Sequence, residues 1–167
     1  MDKNKLALRS VTGTKQIATV ETLAREIWLE HYTPIIGVNQ VEYMLECFQT
    51  SAAIAGQIRN GCRYYLIEKD GNAIGYVAFE PRASELFLSK LYVRTSERKQ
   101  GYGRMALACA EAFARRRGLK TIFLTVNRNN TSSIRAYEKM GFAKSASLAT
   151  DIGGGFTMCD YRMEKKL

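Results

Sequence analysis

The stretch Arg98-Lys99-Gln100-Gly101-Tyr102-Gly103-Arg104-Met105-Ala106 decides how this chain is read. Two glycines one residue apart follow a basic run and precede an apolar stretch with helical spacing. The inner part, Gly101-x-Gly103-x-x-Ala106, also fits the dinucleotide fingerprint. That fingerprint needs its first glycine directly after a strand and an acidic residue about 20 positions on to hold a ribose. Here Arg94–Gln100 separate Gly101 from a strand ending at Val93, and "TIFLTVNRNN", beginning at Thr121, holds no carboxylate. The G-x-x-x-x-G-K-[ST] nucleotide loop is absent too. What remains is a helix starting at Gly101–Arg104, whose free N–H groups and positive dipole end attract an anion. Glycine at 101 and 103 removes the Cβ atoms that would hold the anion off, and Arg98, Lys99 and Arg104 add charge. A pyrophosphate suits this site.

The rest of the chain alternates between two periods. "LALRSVT" opens as a short strand. Val20, Leu23, Ala24, Ile27 and Trp28 place a helix from Thr19 to about Tyr32, ended by Pro34. A second helix covers Asn39 to about Gln49 and continues, interrupted, through "SAAIAGQIRNG". Residues 62–81 make two strands around Asp70-Gly71-Asn72, and Glu85–Val93 is a third. A helix follows through Gly118, then a doubly buried strand at "TIFLTVN". A short helix starts near Asn130, an N-cap type, and ends at Gly141. Two C-terminal strands flank "DIGGG". The expectation is one α/β domain over residues 1–167, with a mixed central sheet of about seven strands and about four helices.

Composition narrows the function. No apolar run approaches the roughly 20 residues of a membrane span, and the N-terminus lacks a signal-peptide core, so the expected location is cytoplasmic and no membrane partner is expected. Cys47, Cys62, Cys109 and Cys159 are widely spaced and read as reduced, mostly buried thiols; with one histidine in the chain, no metal is expected. A net charge of +9 permits an anionic partner. Arg115–Arg117, just before Gly118, read as the cationic end of a helix. No aromatic residues interleave with them, so nucleic acid is not expected.

The loop and a second motif together resemble the GCN5-related N-acetyltransferases (GNAT). Their acetyl-CoA loop, Q/R-x-x-G-x-G/A, stands here as Arg98-Lys99-Gln100-Gly101-Tyr102-Gly103. "VNRNNTSSIRAYEKMGF" carries the family's Asn, Ser, Tyr and closing Gly-Phe. The resemblance covers roughly Glu85–Phe142 and implies a sheet splayed at the acetyl-CoA site. It implies that backbone amides of Lys99, Gln100, Gly101, Tyr102, Gly103 and Arg104 hold the CoA pyrophosphate, and that Val93 pairs its backbone with the pantetheine arm. Leu91 N–H becomes an oxyanion donor, Asn130 and Ser133 further cofactor contacts, and Tyr137 the acid that protonates the thiolate. Periodicity alone makes Tyr137 a core aromatic on a stripe with Ile134.

The family's strand glutamate falls at Phe87, which accepts no proton, so Glu85 and Glu80 become the candidate bases. His31 and Glu30 are candidates for the acceptor pocket. "EHYTPIIGVNQVEYML" and "DIGGGFTMCDYRMEKKL" look like a bacterial subgroup that includes PaiA-type polyamine acetyltransferases, with Glu30, Glu42, Glu46, Asp151 and Asp160 as carboxylates for a polyamine. The expected function is acetyl transfer to a primary amine. Acetylation of a peptide N-terminus or lysine, and acetyl-CoA binding without turnover, are the alternatives. Pairing of the C-terminal edge strands offers a route to a homodimer.

Overall fold

The computed structural model describes residues 5–167. Seven strands form one sheet in the order β1-β2-β3-β4-β5-β7-β6, where β1 is Leu6–Ser10, β2 Arg63–Lys69, β3 Asn72–Arg82, β4 Glu85–Val93, β5 Thr121–Asn127, β6 Ala143–Gly153 and β7 Phe156–Lys166. All neighbours pair antiparallel except β4 and β5, which run parallel and are joined by helix α4, Tyr102–Arg116. Helices α1 (Thr14–Ile36), α2 (Val38–Phe48) and α3 (Ser51–Arg59) cover one face, and α4 covers the other with α5 (Thr131–Lys139) beside it.

Each face has its own core. Val20, Leu23, Ile27, Trp28, Val41 and Leu45 pack on Tyr64, Leu66, Tyr76 and Ala78. On the other face, Ala106, Leu107, Ala110 and Phe113 of α4 meet Val77, Phe79, Leu86, Ile122 and Leu124. The small residues of α4 let the helix lie close on the strands, which fixes where its N-terminus points.

Three features differ from the sequence-based expectation. Helix α1 begins at Thr14 and runs through Pro34 to Ile36. Proline removes one N–H near the end of a long helix, and Ile36 still packs on the core. Among the described residues the α-helices number five, because Thr50 caps α3 by accepting from Ala53 N at 3.2 Å and separates it from α2. Of the thiols expected to be mostly buried, only Cys62 is; Cys109 and Cys159 are half-buried and Cys47 is exposed.

The decisive feature is how little of β4 meets β5. Only Glu85, Leu86 and Phe87 pair, with Thr121, Ile122 and Phe123. Beyond them β4 follows β3 to Val93 while β5 follows β7 to Asn127, and a gap opens in the sheet. At Gly75 of β3 a Cβ would run into the Tyr92 carbonyl oxygen, so glycine allows this close strand approach.

Candidate active site

The gap is built from backbone first. Arg94 N donates to Ile74 O at 2.9 Å, so that end of β4 is bonded to β3. Antiparallel alternation then turns the backbone groups of Leu91 and Val93 away from β3, into the gap. Consistently, the Val93 carbonyl accepts from Arg98 Nε at 3.0 Å. A bulge at Ser89 changes the phase of the strand: Leu88 pairs with Phe79, but Lys90 pairs with Ala78. Leu86 and Leu88 face the α4 side, as do Leu91 and Val93 after the bulge. Lys90 and Tyr92 consequently join Phe87 on the α1–α2 side.

At one end of the gap lies the glycine loop. After a 3-10 turn at Thr95–Glu97, Lys99 takes φ 63° and Gly101 φ 86°, and α4 starts at Tyr102. A Cβ at Gly101 or Gly103 would meet no atom within 4 Å. Lys99, Gln100 and Arg104 are exposed. Tyr102 is buried in the α4-side core, and its hydroxyl donates to Gln100 Oε1 at 2.9 Å; its side chain anchors the loop, leaving its backbone for a ligand. Free N–H groups, open space above two glycines and exposed cations fit a diphosphate.

His31 lies beside this loop and does not line the cavity described below. Its Nε2 is 3.2 Å from Asn130 Oδ1, and its Nδ1 is 3.4 Å from Arg98. Burial and the Arg98 charge lower its pKa. A neutral ring donating through Nε2 and accepting at Nδ1 satisfies both neighbours. Asn130, 2% exposed, thus turns its side chain to His31 instead of capping α5. Ser133 is half-buried on the first turn of α5, and Glu30 is exposed.

Tyr137 is partly buried, with its ring 5.6 Å from that of Phe142 in an edge-to-face contact. Burial, and then the nearby Tyr32, hold its pKa well above that of an ordinary phenol. Tyr32 and Tyr92 share a hydrogen bond at 3.2 Å. The pKa of Tyr92 is also raised, by burial first and with Tyr137 contributing. Three protonated phenols therefore gather at the mouth of the gap.

On the α1–α2 side a cavity of about 260 Å³ opens between Trp28, Tyr32, Met44, Phe48, Phe87 and Met158. Two charged side chains line it, Lys90 of β4 and Asp160 of β7. Asp160 is 6% exposed, and among the described residues no side chain donates to its carboxylate. Burial raises its pKa against the pull of Arg128. The tip of the β6–β7 hairpin closes over α2: Tyr43 donates to Ile152 O at 2.7 Å, and its ring lies 5.2 Å from Phe156.

The expected bases sit elsewhere. Glu85 lies where β4 and β5 are still paired and accepts from Arg162 at 2.8 Å. Glu80 accepts from Arg82 Nε at 2.7 Å. Of the five expected acceptor carboxylates only Asp160 reaches the cavity; Glu42 is paired with Arg25, for example. Lys90 was not singled out from the sequence, because strict alternation from Phe87 puts it on the wrong face.

Residues 21–142 match the profile of the Acetyltransferase (GNAT) family. Streptothricin acetyltransferase of Streptomyces lavendulae is 31% identical over 90 residues, 53% of this chain and 48% of that protein, so the match spans about half of its length. The PaiA N-acetyltransferase of Thermoplasma acidophilum, solved in complex with coenzyme A, superposes with a TM-score of 0.83 at 22% identity, covering 98% of this chain and 99% of that one. A chimeric spermidine N-acetyltransferase, from Vibrio cholerae in part, gives 0.66 at 18% identity over 96% and 94%.

Proposed function

The chain belongs to the acetyltransferase (GNAT) family, and we propose that it moves an acetyl group from acetyl-CoA directly to a primary amine. One observation carries this reading: the β4–β5 gap has a basic glycine loop at one end and a cavity with a buried, unpartnered carboxylate at its side. Acetyl-CoA supplies the activated thioester. The N–H groups from Lys99 to Arg104 hold its diphosphate, with Ser133 contacting it further along; Asn130, expected there too, is buried and held by His31, so it positions the site from behind. Leu91 N–H, turned into the gap, stabilises the charge that grows on the acyl oxygen. Val93 lines the pantetheine path.

Asp160 takes the role that Glu85 and Glu80 are placed too poorly to fill. It receives the ammonium and accepts its proton, either directly or through water, and burial, by raising its pKa, makes it a stronger base than an exposed aspartate. Tyr137, protonated throughout the neutral range, returns a proton to the thiolate. His31 acts indirectly, joining the loop to α5.

The acceptor is a compact amine. A polyamine remains the reading suggested by the PaiA and spermidine enzymes, yet a single carboxylate at the cavity offers it only one anchor. A peptide N-terminus or lysine would have to enter past the hairpin tip held by Tyr43. We place the protein in the cytoplasm; no helix among the described residues is long and apolar enough to cross a membrane. The exposed edge strand β6 gives a homodimer its pairing edge.

The test is CoA thiol release from acetyl-CoA with amines, polyamines and short peptides in turn. Release with one class, lost in Gly103→Glu, supports transfer. Acetyl-CoA binding with no release for any class would support the non-catalytic reading instead.

A further inference from the structure

The acceptor cavity is charged on two sides, and among the described residues neither charge has an ion-pair partner; Arg128 acts on Asp160 only from beyond that distance. Asp160 enters from β7 with no donor among the described residues. Lys90 enters from β4. Its ammonium donates to Gln57 Oε1 at 3.2 Å and Ser89 Oγ at 3.0 Å, and lies 5.5 Å from the centre of the Tyr64 ring. All three partners are neutral. Glu80, whose field reaches Lys90, is held by Arg82, and no described carboxylate lies within ion-pair distance.

Gln49 adds a third unmet group. It is 2% exposed and lines the same cavity. Tyr76 donates to its Oε1 at 3.0 Å, which fixes the amide and leaves Nε2 without an acceptor. Through their partners Tyr76, Tyr64 and Gln57, Gln49 and Lys90 belong to the β2–β3–α3 side, opposite β7. One wall therefore has spare donors and the other a spare acceptor.

A charge without an ion-pair partner costs more the deeper it lies; Asp160 is buried and Lys90 half-buried. A ligand that brings both an anion and a cation relieves both walls at once. We propose that the acceptor is a zwitterion: an apolar α-amino acid, or a close analogue, whose carboxylate is received by Lys90 and Gln49 and whose ammonium is received by Asp160. This rests on the acetyltransferase reading of the same site. The cavity's volume and its lining of Trp28, Met44, Phe48 and Met158 suit an apolar side chain. Lys90 repels a polyamine, which brings only positive charge. Burial lowers the pKa of Lys90, and a carboxylate alongside restores its charge. The ammonium gives one proton to Asp160, which passes it to water; a C–N bond forms as the C–S bond breaks, the thiolate takes a proton from Tyr137, and the second proton shed by nitrogen restores Tyr137. The product is an N-acetyl amino acid with its carboxylate intact.

The full chain is assayed for CoA release with phenylalanine and methionine, with phenethylamine (phenylalanine without its carboxylate), and with spermidine. Phenylalanine should exceed phenethylamine in kcat/KM by at least about 100-fold, since a site built for a polar group rejects the analogue lacking it. Lys90→Met should collapse that ratio to within about 3-fold, and Lys90→Arg should keep part of it, with melting curves confirming that both fold. Equal or better use of phenethylamine or spermidine, or an equal loss for every acceptor in Lys90→Met, overturns the inference.

Calorimetry separates this inference from the enzyme reading. If acetyl-CoA binds and amines are acetylated while amino acids neither bind nor react, the inference falls and the enzyme reading stands. If acetyl-CoA neither binds nor reacts, the enzyme reading falls. Saturable phenylalanine binding that Lys90→Met abolishes would even then support the zwitterion site, and its absence would end it.

Discussion

Replacing Gly103 by glutamate should move stability and cofactor affinity in opposite directions. Gly103 lies in the first turn of α4, its φ is not positive, and a Cβ there would meet no atom within 4 Å. The new side chain therefore enters without steric cost. Glutamate is a better helix former than glycine by up to about 0.8 kcal/mol, and an anion at a helix N-terminus adds about 0.3–1 kcal/mol. Folded Gly103→Glu should thus be about 1 kcal/mol more stable, a rise of roughly 2–4 °C in Tm at this length. The same carboxylate would face the diphosphate at the proposed site. At the effective dielectric of a protein surface, unit charges about 5 Å apart repel by roughly 3 kcal/mol, a loss of about 150-fold in acetyl-CoA affinity. Thermal melting without ligand and calorimetric titration with acetyl-CoA read the two effects separately. Unchanged affinity would remove the diphosphate from the start of α4. A large drop in Tm would refute the open space assigned above Gly103.

Asp160→Asn should lower kcat/KM by about 100-fold or more and remove the acidic limb of the pH–rate profile, which in the native protein should lie above the ordinary aspartate range near 3.9. The folded pKa of Asp160 is raised, so its contribution to stability is present at acid pH and lost as pH rises through that value; the variant should melt no lower than the native protein at pH 8. A retained acidic limb would assign the proton acceptor elsewhere. Tyr137→Phe should cut kcat at least 10-fold with acetyl-CoA affinity within about 3-fold, as expected for a group acting on the leaving thiolate; equal loss in both would make Tyr137 a packing residue. Tyr43→Phe deletes the bond to Ile152 O and should cost about 1 kcal/mol in urea unfolding. It should raise KM for the acceptor and leave acetyl-CoA affinity in place, so a cofactor defect would contradict the hairpin's assignment to the acceptor wall.

The glycine loop proposed to hold the cofactor is legible in the sequence because its features are local. Gly101, Gly103 and the cations around them sit within one turn, and the strand before and the helix after follow from period alone. The cavity proposed for the acceptor is assembled from distant residues, and there sequence spacing fails. Asp160 is one of five acids that spacing cannot rank; burial by the β5–β7 pairing singles it out. Lys90 is hidden by the single extra residue at Ser89, which reverses every orientation after it. His31 continues the apolar stripe of α1 as expected, but its role as a strut depends on Arg98 and Asn130, which are separated from it by 67 and 99 residues. Glu85 and Glu80 looked available only because their arginine partners, Arg162 and Arg82, carry no sequence mark of pairing.

The family match ends at Phe142, before the hairpin that contributes Met158 and Asp160 to the acceptor wall. The matched block thus carries the glycine loop and one wall of the cavity, and an appendage fastened to α2 by Tyr43 carries the facing wall. New selectivity is most easily acquired by exchanging residues 143–166 against a matching α2, with the glycine loop left untouched. Two proteins that agree throughout the matched block share the Lys90 and Gln49 wall and still differ in the group that faces it from β7.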